Sequence, residues 1–231
     1  MKLILTNDDG IDAPGIEILE EALRGAGQLI VVAPAREQSG VSHQVTTHAP
    51  IRVEQISERR YRVEGTPADC ARIALTHIAP DAVWLCAGIN AGANLGADIY
   101  TSGTVAAARE ASMLGCRALA VSQYIARNQP LNWDQTREQA LAVLPRVMAC
   151  ALEKGDFWNI NFPHVPENTP ELSFCDLDIS PHSFCFHQDG DDLIYSADFH
   201  ARPRQPGRDV ETCFGGRVSI TRLTVGSSPR S

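Results

Sequence analysis

The chain has 231 residues, enough for one large domain or a domain with a smaller appendage, and its composition (44% hydrophobic, 21% charged) is that of an ordinary globular protein. With a net charge of −8 nothing suggests electrostatic attachment to a nucleic-acid polymer, and none is expected; an anionic substrate would need a local cation or helix N-terminus to offset that field. No apolar run reaches the roughly eighteen residues needed to cross a bilayer, and no charged n-region precedes an apolar one, so a cytoplasmic protein without a membrane partner is expected. The seven cysteines are odd in number, form no C-x-x-C pair and read as reduced packing residues.

Lys2–Gly10 begins with an apolar run, Leu3-Ile4-Leu5, suited to a buried parallel strand, and stops at Asn7-Asp8-Asp9-Gly10. Ligands in open α/β sheets sit at the carboxyl ends of strands. Adjacent carboxylates repel and are costly to desolvate, and a hard divalent cation such as Mg²⁺ or Mn²⁺ relieves both problems. A plain polar turn satisfies the same four residues. Pro14-Gly15 then opens a helix, and Gln28–Ala33 reads as a second buried strand, ending in a loop that carries Ser39 and His43 to the same rim. Residues 45–64 alternate weakly, as antiparallel excursion strands would. Thr66-Pro67-Ala68-Asp69 has the pattern of an N-cap, Pro at N1 and a capping-box acid.

Asp81–Ile89 is a third buried strand. The Gly- and Asn-rich stretch 88–104 follows and runs into an alanine-rich helix, Val105–Met113. Ser102-Gly103-Thr104 thus stands at a helix N-terminus, where free N–H groups suit a phosphate, though a simple Ser/Thr cap has the same pattern. Cys116–Ser122 and Phe157–Phe162 are further strands, and Asp134–Glu153 is the longest helix. The repeated βα pattern predicts an α/β fold: a doubly wound, mostly parallel, Rossmann-like sheet over residues 1–163. After Pro163 the possible strands Leu172–Leu177, Leu193–Ala197 and Gly216–Val225 lack helices between them, so residues 164–231 read as a smaller β-rich extension that completes the fold or mediates assembly. His182-x-x-Cys185-x-His187 lacks a fourth metal ligand nearby, and Trp84, Trp133 and Trp158 read as core or interface aromatics.

Collected at the strand ends are Asp8, Asp9, Ser39, His43, Asn90, Asn94, Ser102 and Thr104, an oxygen-rich set suited to a hard cation and a phosphate. Hydrolysis of a phosphate ester is the implied reaction, with Asp8, Asp9 and His43 as catalytic candidates. No G-x-x-x-x-G-K-[ST] is present, and Gly88, Gly92 and Gly96 lack the dinucleotide spacing. A non-catalytic protein that binds a phosphorylated metabolite is the alternative.

Asn7-Asp8-Asp9-Gly10, Ser39-Gly40, Gly65–Cys70, Gly88–Gly96 and Ser102–Ala108 resemble, in order and spacing, the SurE (survival protein E) family. The resemblance implies metal-dependent hydrolysis of nucleoside 5′-monophosphates, with 3′-monophosphates and short polyphosphate as further substrates. It implies one Mg²⁺ or Mn²⁺ per subunit on Asp8, Asp9, Ser39 and Asn90, and phosphate contacts from Asn94, Ser102, Gly103 and Thr104. A homodimer or homotetramer is expected, because an apolar hairpin around residues 184–195 cannot bury both faces alone. The sequence departs from the family pattern at Ala87, Ala111, Arg208 and Arg222, and the segment after Val225 is shorter than the helix that many relatives exchange between subunits.

Overall fold

The computed structural model describes residues 1–165, 171–181 and 184–226. His182 of the His/Cys motif lies outside them. The core is β1 (Lys2–Thr6), α1 (Pro14–Leu23), β2 (Gln28–Pro34), β3 (Val53–Ser57), β4 (Arg60–Val63), α2 (Pro67–Ile73), β5 (Trp84–Ala91), α3 (Gly103–Met113), β6 (Arg117–Gln123), α4 (Trp133–Met148) and β7 (Asp156–Phe162). After it come β8 (Leu172–Phe174), β9 (Phe186–Asp189), β10 (Asp192–Tyr195), α5 (Asp209–Phe214) and β11 (Val218–Thr224). The large sheet runs β3-β4-β2-β1-β5-β6-β7-β11-β8, and β9 and β10 form a separate ribbon. Strands β4, β2, β1, β5, β6 and β7 are mutually parallel, as the βα repeat requires.

Alternation along the strands builds two cores. Leu3 and Leu5 point to the face covered by α1 and α4, with Leu19, Leu144 and Val147. Ile4, Val32 and Leu85 point to the opposite face, against Cys70 of α2 and the alanines of α3. Those alanines (Ala107, Ala108 and Ala111) are fully buried, so α3 lies close on the sheet and carries its N-terminus to the strand ends. The chain passes from β1 outward to β2 and later returns to β5 on β1's other side. The order therefore reverses between β1 and β5, the place where open α/β sheets form a ligand crevice.

Three elements differ from the sequence expectation. Helix α4 stops at Met148 rather than Glu153; Cys150 and Leu152 still pack on the core, so the apolar signal outlasts the helix. Residues 45–64 do give an antiparallel pair, β3 and β4, but β4 also pairs parallel with β2, which makes the hairpin an extension of the sheet. Beyond Pro163, α5 is a short helix where none was expected, and β11 enters the large sheet antiparallel to β7. A six-residue helix shows too few turns for its period to be read.

Candidate active site

At the β1/β5 crevice lies a cavity of about 570 Å³ lined by Asp8, Asp9, Ser39, Asn90, Asn94 and Ser102, with Glu37 at its side. Six of the residues singled out from sequence thus meet in one place, drawn from the ends of β1, β2, β5 and the approach to α3. Gly15 permits this closeness: a Cβ there would stand 2.0 Å from the Ile89 carbonyl oxygen, so only glycine lets α1 start against β5. Gly103 does the same at α3, where a Cβ would meet Asp8 Cβ at 2.9 Å.

Asp8 is buried, and its carboxylate receives the Thr104 hydroxyl and backbone N–H. Burial raises its pKa to about 6; the Thr104 hydroxyl opposes the rise and the neighbouring Asp9 charge adds to it. Asp9 is also raised, first by burial and then by the Glu37 charge, against a bond from the Ala91 N–H at 3.4 Å. Among the described residues neither acid is in an ion pair with a cation. The donors around them are all oxygen: two carboxylates, the Ser39 hydroxyl and the Asn90 amide, whose Nδ2 is committed to the Gly92 carbonyl at 2.7 Å. Among the described residues no three His, Cys, Asp or Glu side chains gather as a metal cage. This donor set fits a hard divalent cation that keeps several waters, and such an ion would relieve the charge imbalance.

Thr104 and Gly103 do not line the cavity. They stand behind Asp8, so the α3 N-terminus first serves the carboxylate. Ser102 does line it, while its Oγ caps α3 by accepting from the Val105 N–H at 3.1 Å. His43 is placed differently from the expectation. Its ring lies outside the cavity lining, with Nε2 2.8 Å from Glu110 Oε2 and Nδ1 3.4 Å from the Arg109 guanidinium. The Arg109 contact leaves Nδ1 as acceptor, so Nε2 donates to Glu110. Burial raises the Glu110 carboxyl, but the bonds from His43 and from Arg72 (2.7 Å) outweigh it and hold the group below the usual range. His43 thereby ties its loop to α3, and Ser42 adds a bond to the Tyr100 carbonyl at 2.6 Å.

Sequence reasoning missed the support beneath Asn94. The Asn94 N–H donates to Asn161 Oδ1 at 2.8 Å, and its carbonyl accepts from Asn159 and Asn161. Its side-chain amide donates to Ser122 Oγ at 2.7 Å. Asn159 and Asn161 are fully buried. Two asparagines at i and i+2 within the apolar run FWNINF were the available signal, since alternation puts them on one face of β7. Asp209 was a second omission: buried, it accepts from the N–H groups of Gly96, Asp178 and Val210 and pins the same loop two residues past Asn94.

A family model described as Survival protein SurE matches residues 3–181. The chain belongs to the SurE family. A protein of Nostoc sp., provisionally named a 5′-nucleotidase, is 47% identical over 227 residues, covering 97% of this chain and 100% of its own. The protein named 5′-nucleotidase SurE of Paramagnetospirillum magneticum is 36% identical, covering 96% and 89%. A crystal structure of the SurE protein from Aquifex aeolicus superposes with a TM-score of 0.87 at 28% identity, covering 99% of this chain and 95% of that one. The α/β fold expected from sequence is thus the SurE fold. No described helix is long and apolar enough to cross a membrane. At Ala87 and Ala111, where the sequence departs from the SurE pattern, both methyl groups are fully buried in the α2/α3 core, away from the cavity.

Proposed function

We propose that this chain is a 5′-nucleotidase that hydrolyses nucleoside 5′-monophosphates to nucleoside and phosphate, using one divalent cation per subunit. The observation that carries the reading is the adjacent carboxylates of buried Asp8 and half-buried Asp9, both raised in pKa and lining one cavity with Asn94 and Ser102. The names of the relatives support the substrate class. Asp8, Asp9, Ser39 and Asn90 would hold Mg²⁺ or Mn²⁺, which supplies Lewis-acid stabilisation of phosphoryl charge and a more acidic water. Asn94 and Ser102 would orient the phosphate; its phosphorus gains an oxygen from water as the bond to the 5′ oxygen breaks, and that oxygen takes up a proton. Thr104 and Gly103 act one step back, fixing Asp8. His43 has its part through Glu110 and the Ser39–His43 loop, without touching substrate. We extend the proposal to 3′-monophosphates and short polyphosphate as further substrates of the same site.

Phosphate release from a panel of 5′- and 3′-nucleotides and tripolyphosphate, with Mg²⁺, Mn²⁺ or EDTA, tests the reading. Release from 5′-monophosphates that stops in EDTA is expected. Tight nucleotide binding without any release, in either metal, would make the protein a sensor instead.

A further inference from the structure

The same cavity that holds the two aspartates also has apolar lining. Leu131 and Trp133 reach it from the start of α4, and Ala13 and Pro14 from the start of α1. A metal and a phosphate need no such surface. A purine or pyrimidine does.

We propose that Trp133 is the platform on which the nucleobase stacks, and so a determinant of specificity for nucleotides over other phosphate esters; this rests on the nucleotidase reading above. The chain has three tryptophans, and the other two are spent elsewhere. Trp84 is buried beneath Arg117, whose guanidinium lies 5.5 Å from the ring centre. Trp158 is buried against the edge of Phe174 at 5.7 Å. Trp133 alone of the three lines a cavity with the candidate metal and phosphate residues. It is half-buried, and among the described residues it meets no aromatic ring or cation.

Its position is also fixed. Trp133 is the first residue of α4, capped by Asn132, whose Oδ1 accepts from the Gln135 N–H at 3.2 Å. One turn on, Thr136 donates to Gln123 Oε1 of β6 at 2.9 Å, and Gln139 donates to the Pro163 carbonyl at 3.3 Å. The ring's own body packs on the α1/α4 core. A rigid, half-exposed aromatic loses little conformational freedom on binding, which is why such residues serve as stacking surfaces. The cavity's volume is within the ~300–1,000 Å³ that suits small ligands. Stacking accepts any base, so the platform selects for the presence of a base, not its identity.

The test compares wild type, Trp133→Phe and Trp133→Ala on adenosine 5′-monophosphate and on ribose 5-phosphate, which carries the same ester without the base. Trp133→Ala should raise KM for the nucleotide roughly tenfold to a hundredfold relative to its KM for ribose 5-phosphate. Trp133→Phe should restore most of the preference. In wild type, the nucleotide should also quench tryptophan fluorescence where ribose 5-phosphate does not. A preference that survives Trp133→Ala, a loss shared equally by both substrates, or a change of oligomeric state that accounts for the loss would each overturn the platform while leaving the nucleotidase reading intact. If wild type releases phosphate from ribose 5-phosphate but from no nucleotide, the nucleotidase reading falls, and the platform falls with it.

Discussion

The Asn94–Thr104 loop and the β9–β10 ribbon are both excursions from the large sheet, yet they end in opposite states. The first is held at every turn: Asn94 by Ser122, Asn159 and Asn161, Gly96 by Asp209, and Asp98 by the paired Arg202 guanidinium. Among the described residues the strands of the second pair only with each other, and every residue of both is exposed, Phe186, Leu193 and Tyr195 included. A loop that must present ligands at fixed distances is backed by buried hydrogen bonds. A ribbon with apolar side chains in water is marginal by itself, and we propose that a second copy of this chain covers it.

The largest expected effect lies at the braced site. Asp8→Asn should cut phosphate release by at least about a hundredfold, because one of two anionic ligands goes. It should also stabilise the metal-free protein at neutral pH. Folding raises the Asp8 carboxyl from 3.8 to about 6, so the native state binds the proton more tightly than the unfolded chain. Stability tied to Asp8 is therefore complete below about pH 4 and declines as pH rises to about 6, by about 3 kcal/mol in all. Calorimetry in EDTA at pH 4 and pH 7 should show the variant gaining on wild type only at the higher pH. An equal gain at both would remove the case for an uncompensated carboxylate.

Asn161→Ala sharpens the comparison by unbracing the loop from below. The Asn94 N–H and carbonyl each lose a partner in a buried place, which should cost about 1–3 kcal/mol by urea unfolding. The KM for nucleotide should rise as well, since Asn94 is released. A stability loss with unchanged KM would mean that the bracing serves the fold alone.

A replacement in the ribbon should do the reverse. Leu193→Ser, at a side chain 69% exposed, should leave stability within about 0.5 kcal/mol and yet weaken self-association. Sedimentation equilibrium at micromolar concentration decides it. A wild type that sediments as a monomer would refute the assembly, and an unaltered oligomer in the variant would move the interface elsewhere. The smallest effect on the site belongs to Ala111→Gly, which removes one buried methyl from α3 and weakens its helix preference by about 1 kcal/mol, read as a modest fall in Tm with KM unmoved.

Much of this molecule is local in origin. The apolar runs of β1, β2, β5 and β6 specify buried parallel strands because a strand covered on both faces needs no polar residue. Thr66-Pro67-Ala68-Asp69 specifies a helix start, and the capping box is formed as written, with the Thr66 hydroxyl accepting from Asp69 N–H at 3.1 Å. The oxygen-rich residues at the strand ends follow from the same pattern, since a strand's last residue fixes what emerges beyond it. Tertiary structure decided the rest, because it depends on contacts between distant residues. His43 and Glu110 are 67 positions apart, and their pairing turns a plausible proton carrier into a tether. Asn94 and Asn161 are equally far apart, and no local period announces that one will brace the other. Trp133 has the same side chain in either setting. Only the packing of α1 against α4 brings it to the lining of the cavity that Asp8 shares rather than inside the core.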